Sequence, residues 1–141
     1  KGSSVIATDG IDTHVLIGDA TALPAICRRL EELPSTCRAL VIMEVDMQGD
    51  RPEFQSQATV QVIWITRTEQ INSVTPQIID ALSKIELAPR SFIWVAGESR
   101  NVRALRSYFR EQRGFDKKWI KAAGYWQQGS IGKHESLQED A

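Results

Sequence analysis

The chain has 141 residues, 42% apolar and 25% charged, a balance that suits one globular domain able to bury its own core. Seventeen Lys and Arg against eighteen Asp and Glu leave a formal charge of −1, so bulk charge points to neither nucleic acid nor membrane. No apolar run reaches the ~18 residues needed to span a bilayer and no signal-peptide pattern opens the chain, so no membrane insertion and a cytoplasmic location are expected.

Residues 1–12, opening with Lys1 to Ser4, read as a leader, a linker or a cloning scar, and fold reading starts at residue 13. Val15, Leu16 and Ile17 predict a first strand. Leu23, Ile26, Cys27, Leu30 and Leu33 then recur on one helical face until Pro34 stops the segment. Cys27, on that apolar side, reads as a buried free thiol. With Cys37 it forms neither a redox pair nor a metal-ligand spacing, which fits reducing surroundings.

Ala39 to Met43 predicts the second strand and Val60 to Ile65 the third. Between them, Asp46 to Thr59 carries Gly, Pro and polar residues without a helical pattern, as a loop crossover would. Thr75 and Pro76 pair an N-cap with a proline at the first helical position, ahead of Ile78, Ile79, Leu82 and Ile85. Phe92 to Ala96 predicts the fourth strand. Ser99 can cap a third helix carrying Val102, Leu105 and Phe109, with Gly114 placed to end it. Trp119 to Ala123 predicts the fifth strand, and the polar stretch from Ile131 to Ala141 is expected to fray.

Several strands are continuous apolar runs, as strands buried on both faces are. The alternation predicts an α/β domain over residues 13–130: a doubly wound, mostly parallel five-stranded sheet with helices on both faces. In such sheets ligands bind beyond the carboxyl ends of the strands.

The first strand-to-helix turn offers Gly18 for close approach, Thr21 for a hydroxyl and unpaired N–H groups at the helix start, a set that suits a pyrophosphate. It is not G-x-G-x-x-G, and Asp19 brings negative charge, so an ordinary capped turn stays open beside the phosphate reading. Gly97, Glu98, Ser99, Arg100 and Asn101 nearly spell the G-x-S-x-G nucleophile elbow. Asn101 replaces the last glycine, and the late histidine that a triad requires is only His134 in the tail. An α/β hydrolase is therefore a distant alternative.

Arg28, Arg29, Glu31 and Glu32 read as a solvated helix face, and Asp46 with Asp50 lacks the spacing of a calcium site. Trp64 and Trp94 read as core or sheet-edge packing. Trp119 and Trp126 lie among Lys117, Lys118 and Lys121, a mixture that suits an anionic aromatic ligand or single-stranded nucleic acid. The neutral overall charge counts against nucleic acid. The residues offer no catalytic nucleophile or general base and no metal cluster.

Four blocks, LIGDATALPAI at Leu16–Ile26, VIWITR at Val62–Arg67, FIWVAGESRNVRALRSYF at Phe92–Phe109 and AGYWQQG at Ala123–Gly129, resemble the siderophore-interacting proteins in order and spacing. These are FAD-dependent ferric-siderophore reductases related to the ferredoxin-reductase superfamily. The resemblance covers that family's C-terminal half, which implies a ferredoxin-reductase-like NAD(P)H-binding domain whose partner is an N-terminal FAD-binding barrel.

It implies NADPH or NADH as cofactor, with Gly18, Asp19, Thr21 and Ala22 at the pyrophosphate and Gly97 and Glu98 on the nicotinamide side. Thr66 and Arg67 fall where the adenosine ribose and its 2′-phosphate are read, so Arg67 would favour NADPH; a plain exposed arginine after a strand stays open. Tyr125 and Trp126 would close over the flavin–nicotinamide region. Gln127 and Gln128 stand where the family often has basic residues, leaving Lys117, Lys118, Lys121 and Lys133 to hold the ferric siderophore.

The implied chemistry is hydride transfer from NAD(P)H to FAD, then single electrons to iron(III), which leaves as weakly held iron(II). A domain without the barrel is expected to be inactive. The other reading is a non-catalytic nucleotide-binding or regulatory module lacking a flavin partner.

Overall fold

The computed structural model describes residues 12–68 and 73–127, and the backbone of residues 135–136. Strands β1 (Thr13–Gly18), β2 (Arg38–Asp46), β3 (Thr59–Arg67), β4 (Ser91–Glu98) and β5 (Ile120–Trp126) form a parallel sheet in the order β3-β2-β1-β4-β5. The α/β architecture expected from the alternation is the one observed. A sixth, two-residue strand, β6 (Glu135–Ser136), runs antiparallel beside Ala123 and Gly124, so the tail contributes backbone pairing where fraying was expected.

The apolar runs follow from position. β1 has β2 and β4 as neighbours, and all of β4 is buried. β3, at the edge, is only half-buried, and its Trp64 lies nearly parallel to Phe54 with ring centres 6.0 Å apart. Trp119 falls in a 3-10 turn (Lys117–Trp119) before β5, so that strand begins one residue later than the pattern suggests and runs on to Trp126.

Helix α1 (Leu23–Glu32) packs on one face of the sheet through Ile26 and Leu30, against Leu16, Val41, Met43 and Trp94. Fully burying each of those two helix side chains contributes about 1.5–3 kcal/mol. Arg29, expected in solvent, is half-buried with its guanidinium 4.9 Å above the Trp94 ring. Cys27 is half-buried rather than buried, and Cys37 is the buried thiol; burial pushes both above their ordinary value.

Helices α2 (Thr75–Ser83) and α3 (Ser99–Ser107) cover the other face, where Ile78, Leu82, Val102, Leu105 and Phe109 meet Val15, Ile17, Ile42 and Val95. Thr75 is the first helical residue of α2, not its cap; Ser73 Oγ accepts from Thr75 N at 3.1 Å instead. A π-helical turn over Tyr108–Gln112 continues α3 and turns both Tyr108 and Phe109 inward, before Gly114 at φ +76° ends it. Arg113 then donates to Leu82 O and Ile85 O, both at 3.0 Å, and so caps α2 from the end of α3.

The crossover from β2 to β3, residues 47–58, contains no helix, as expected. It lies along the α1 side, where Ser56 Oγ donates to Leu30 O at 2.5 Å and Phe54 covers Trp64.

His14 is 1% exposed on β1, tilted against Phe92 at 6.1 Å, and its Nε2 has no partner. Burial, assisted by the Arg29 charge, lowers its pKa from 6.5 to about 4. The unfolded chain takes up this proton near pH 6.5 while the folded one refuses it, so the stability present above pH 6.5 is lost as pH falls toward 4. The loss attributable to His14 is about 3 kcal/mol. Urea unfolding at pH 7 and pH 4.5 should show it, and His14→Leu should flatten this part of the pH dependence.

Candidate functional site

The order of the sheet reverses between β1 and β4. From β1 the chain leaves through α1 toward β2, and from β4 through α3 toward β5, which opens a crevice at the carboxyl ends of both strands. Asp19 occupies it. Its Oδ1 accepts from Thr21 N at 3.0 Å and, in a short contact, from the Thr21 hydroxyl. Its Oδ2 accepts from Glu98 N at 3.2 Å and Trp126 Nε1 at 2.9 Å. One carboxylate, 8% exposed, thus joins the ends of β1, β4 and β5.

The neighbouring glycines make room for this knot. A Cβ on Gly97, whose φ is +147°, would stand 2.8 Å from Asp19 Oδ2. One on Gly18 would stand 2.8 Å from the Cβ of Ala22, which is buried beneath it. One on Gly124 would collide with Ser99 Oγ.

Glu98 caps α3: its Oε1 accepts from Arg100 N and Asn101 N, both at 3.0 Å, and its Oε2 lies 3.5 Å from Arg100 Nε. The cap expected of Ser99 therefore belongs to Glu98. Ser99 is 1% exposed and packed against Gly124, which denies its hydroxyl the access that a nucleophile needs and removes the structural basis for a hydrolase. His134 lies outside the described residues. Asn101 Oδ1 accepts from Ser73 Oγ and Thr75 Oγ1, both at 2.7 Å, and joins the start of α2 to the start of α3.

Thr66 and Arg67 end β3 on the same carboxyl edge, pointing to opposite faces. Thr66 Oγ1 accepts from Arg51 Nη2 at 3.1 Å. Arg67 Nη1 donates to Glu44 Oε2 at 2.8 Å. Glu44 shares the lining of a cavity of about 20 Å³ with Asp19, Glu98 and Asn101. Burial raises its carboxyl above the usual range; Arg67 opposes the shift, and the charges of Asp19 and Asp46 add to it.

Two open clefts flank this small cavity. One, about 420 Å³, is lined by Asp46, Met47, Gln48, Arg67 and Thr68. The other, about 600 Å³, lies between the starts of α2 and α3 and is lined by residues that include Ser73, Thr75, Arg100 and Asn101. Each contains one arginine. A dinucleotide fits these residues as a ligand held by arginine, hydroxyl and amide side chains. These turns present no open nest of backbone amides at the N–H groups of Thr21, Arg100 and Asn101, which Asp19 and Glu98 already occupy.

The carboxyl edge thus brings together Gly18, Asp19, Thr21, Ala22, Thr66, Arg67, Gly97, Glu98, Tyr125 and Trp126. Tyr125 is half-buried, and burial raises its hydroxyl pKa. The lysines expected at the substrate are not part of this group. Lys117 and Lys118 precede β5 and Lys121 is its second residue, which places them near the amino edge, roughly 20 Å away along a seven-residue strand. Lys118 lies over Trp119 at 5.5 Å. Gln127 follows β5, while Gln128 and Lys133 lie outside the described residues.

Sequence reasoning passed over Glu44, Arg51, Arg100 and the role of Asn101. Glu44 carried a signal: an acid inside the apolar run of β2, where a buried charge needs a partner. Among the described residues, no group of three or more His, Cys, Asp or Glu side chains is arranged to hold a metal.

The sequence model of a family described as siderophore-interacting protein matches residues 11–129. The chain is 31% identical over 119 residues to the ferric vibriobactin reductase ViuB of Vibrio cholerae, covering 84% of this chain and 44% of that protein. It is 28% identical to a ferric acinetobactin reductase of Acinetobacter baumannii, covering 82% of this chain and 40% of that one. A siderophore utilization protein from T. fusca superposes with a TM-score of 0.75 at 28% identity, over 86% of this chain and 47% of its own. The chain therefore spans just under half the length of these relatives.

Removing the knot should be costly. Asp19→Ala strands the donors of Thr21, Glu98 and Trp126 and should destabilise the domain by about 3 kcal/mol, while Trp126→Phe, which removes one of them, should cost about 1–2 kcal/mol. Chemical unfolding of both variants measures the difference.

Proposed function

Because the chain belongs to the siderophore-interacting protein family, we propose that it is the nicotinamide-nucleotide-binding half of a ferric-siderophore reductase. The observation that carries this reading is the pair of arginine-bearing clefts on either side of the β1–β4 crevice. Two arginine-bearing clefts at the carboxyl edge of an α/β sheet suit an extended ligand whose central diphosphate lies toward one of them and whose adenosine end lies in the other.

In this reading the ligand is NADPH or NADH. Arg67 and Thr66 take the adenosine end, and Arg100, Asn101 and Thr21 take the diphosphate. Gly97 and Glu98 lie on the nicotinamide side, where the missing side chain of Gly97 lets the Asp19 carboxylate come close. Asp19 and Glu98 hold two carboxylates at the crevice, where fixed negative charge stabilises the positive charge that develops on a nicotinamide ring as hydride leaves. Tyr125 and Trp126, at the end of β5, face the flavin region, and Asp19 holds the Trp126 indole in place. FAD bound by the partner domain would supply the conversion of a hydride into single electrons, by which the iron(III) of a siderophore would be reduced and leave as iron(II).

The relatives named as ferric vibriobactin and ferric acinetobactin reductases support the substrate class. Each has more than half its length beyond the part this chain matches, room enough for a flavin-binding barrel as partner domain. We place the reaction in the cytoplasm, where reduced nicotinamide nucleotides are available. Among the described residues no helix is long and apolar enough to cross a membrane.

Amide chemical-shift mapping with NADH and with NADPH tests the site. Gly18, Thr21, Gly97 and Asn101 should move first; shifts confined to the amino edge around Lys117 and Lys118, or none, would overturn the assignment. The purified 141-residue chain should also be colourless and should not oxidise NADPH with ferric chelates. A yellow, active preparation would show that the halves have been misassigned.

A further inference from the structure

We propose that Glu44 is a positioning residue that draws Arg67 back from the adenosine end of the site, so that the chain prefers NADH to NADPH. The proposal rests on the dinucleotide reading above and concerns its selectivity.

Arg67 is the one cation among the residues that line the outer cleft of about 420 Å³. Its direct neighbour across the β2–β3 ladder is Asp46, which is exposed at the rim of the same cleft. The guanidinium instead reaches two residues back along β2 to Glu44, at 2.8 Å, toward the central crevice. Side-chain exposure is 26% for Arg67 and 10% for Glu44, so the acid is the buried member. Arg51 is engaged with Thr66, whose side chain lies on the opposite face of β3 from Arg67.

A 2′-phosphate that engages Arg67 must either pull it from Glu44 or share it. Pulling it away strands a carboxylate in the interior without its cation, which is the costly way to break such a pair. Sharing it brings the phosphate close to Glu44 and to Asp46, the ladder neighbour of Arg67, where Glu44 already feels the negative charges of Asp19 and Asp46. The ribose of NADH meets neither penalty, since its 2′-hydroxyl is neutral and can donate to a carboxylate. An arginine after this strand would by itself favour NADPH; one already paired with a buried acid does not.

Calorimetric titration of the whole chain with NADH, NADPH, 5′-AMP and adenosine 2′,5′-bisphosphate tests this. The wild-type chain should bind NADH several-fold more tightly than NADPH, and 5′-AMP more tightly than the bisphosphate. Glu44→Gln keeps the shape and removes the charge; it should raise affinity for NADPH and the bisphosphate about tenfold, with NADH within about threefold of wild type. In an Arg67→Ala background the same substitution should leave the NADPH affinity unchanged, because Glu44 acts through Arg67. A wild-type preference for NADPH overturns the proposal, as does an equal change for both nucleotides or a gain that survives without Arg67. No binding of either nucleotide to any of these proteins overturns both this inference and the dinucleotide reading, whereas binding with an unaltered ratio overturns this inference alone.

Discussion

The carboxylate of Asp19 receives hydrogen bonds from three separated stretches of chain, and the geometry of the crevice depends on it. A parallel sheet aligns its strands but leaves their carboxyl ends as independent loops. Here the turn after β1, the last residue of β4 and the indole at the end of β5 converge on one acid. Charge-assisted bonds of this kind are stronger than neutral ones, and burial strengthens them further. Gly97 lets the acid come close, and Gly124 lets α3 settle against β5. Glu98 then turns its own carboxylate to the start of α3, so the site's acids also fix its backbone.

This arrangement changes what the two glycine-containing turns mean. Each has the composition of an anion cradle, yet each is closed by an acid from its own chain. In the proposed reading, a nucleotide is then held by side chains at the margins of the crevice, and their pairing with acids sets which nucleotide is preferred. Arg67 is paired with Glu44 and Arg100 lies near Glu98. The crevice is thus acidic at its centre and carries its cations toward the flanking clefts. In the proposed reading that polarity suits a ligand whose negative groups lie along its length and whose reacting ring turns positive.

The elements were legible because burial on both faces writes continuous apolar runs, and because Pro34, Pro76 and Gly114 punctuate the helices. The helix-free crossover between β2 and β3 was legible for the converse reason. Cap identities were not: Glu98 displaced Ser99, and Ser73 took the work assigned to Thr75, since a local pattern does not show which of several polar neighbours is angled at the free N–H. The glycine turns, Thr66, Arg67, Tyr125 and Trp126 share the carboxyl edge because each stands at the end of a parallel strand. Lys117, Lys118 and Lys121, expected at the substrate, lie toward the amino end of β5, apart from the residues of the carboxyl edge. Asp19 looked like an obstacle to a phosphate and proved to be the junction, a role set by contacts with residues 79 and 107 positions away.

The most direct measurement joins this chain to the flavin-binding half of a relative and follows NADH oxidation and iron(II) release together under anaerobic conditions with a ferric siderophore. A hydride carries two electrons and each iron takes one, so the account predicts two iron(II) per NADH oxidised, with turnover dependent on this chain. The same turnover by the flavin half alone would contradict it.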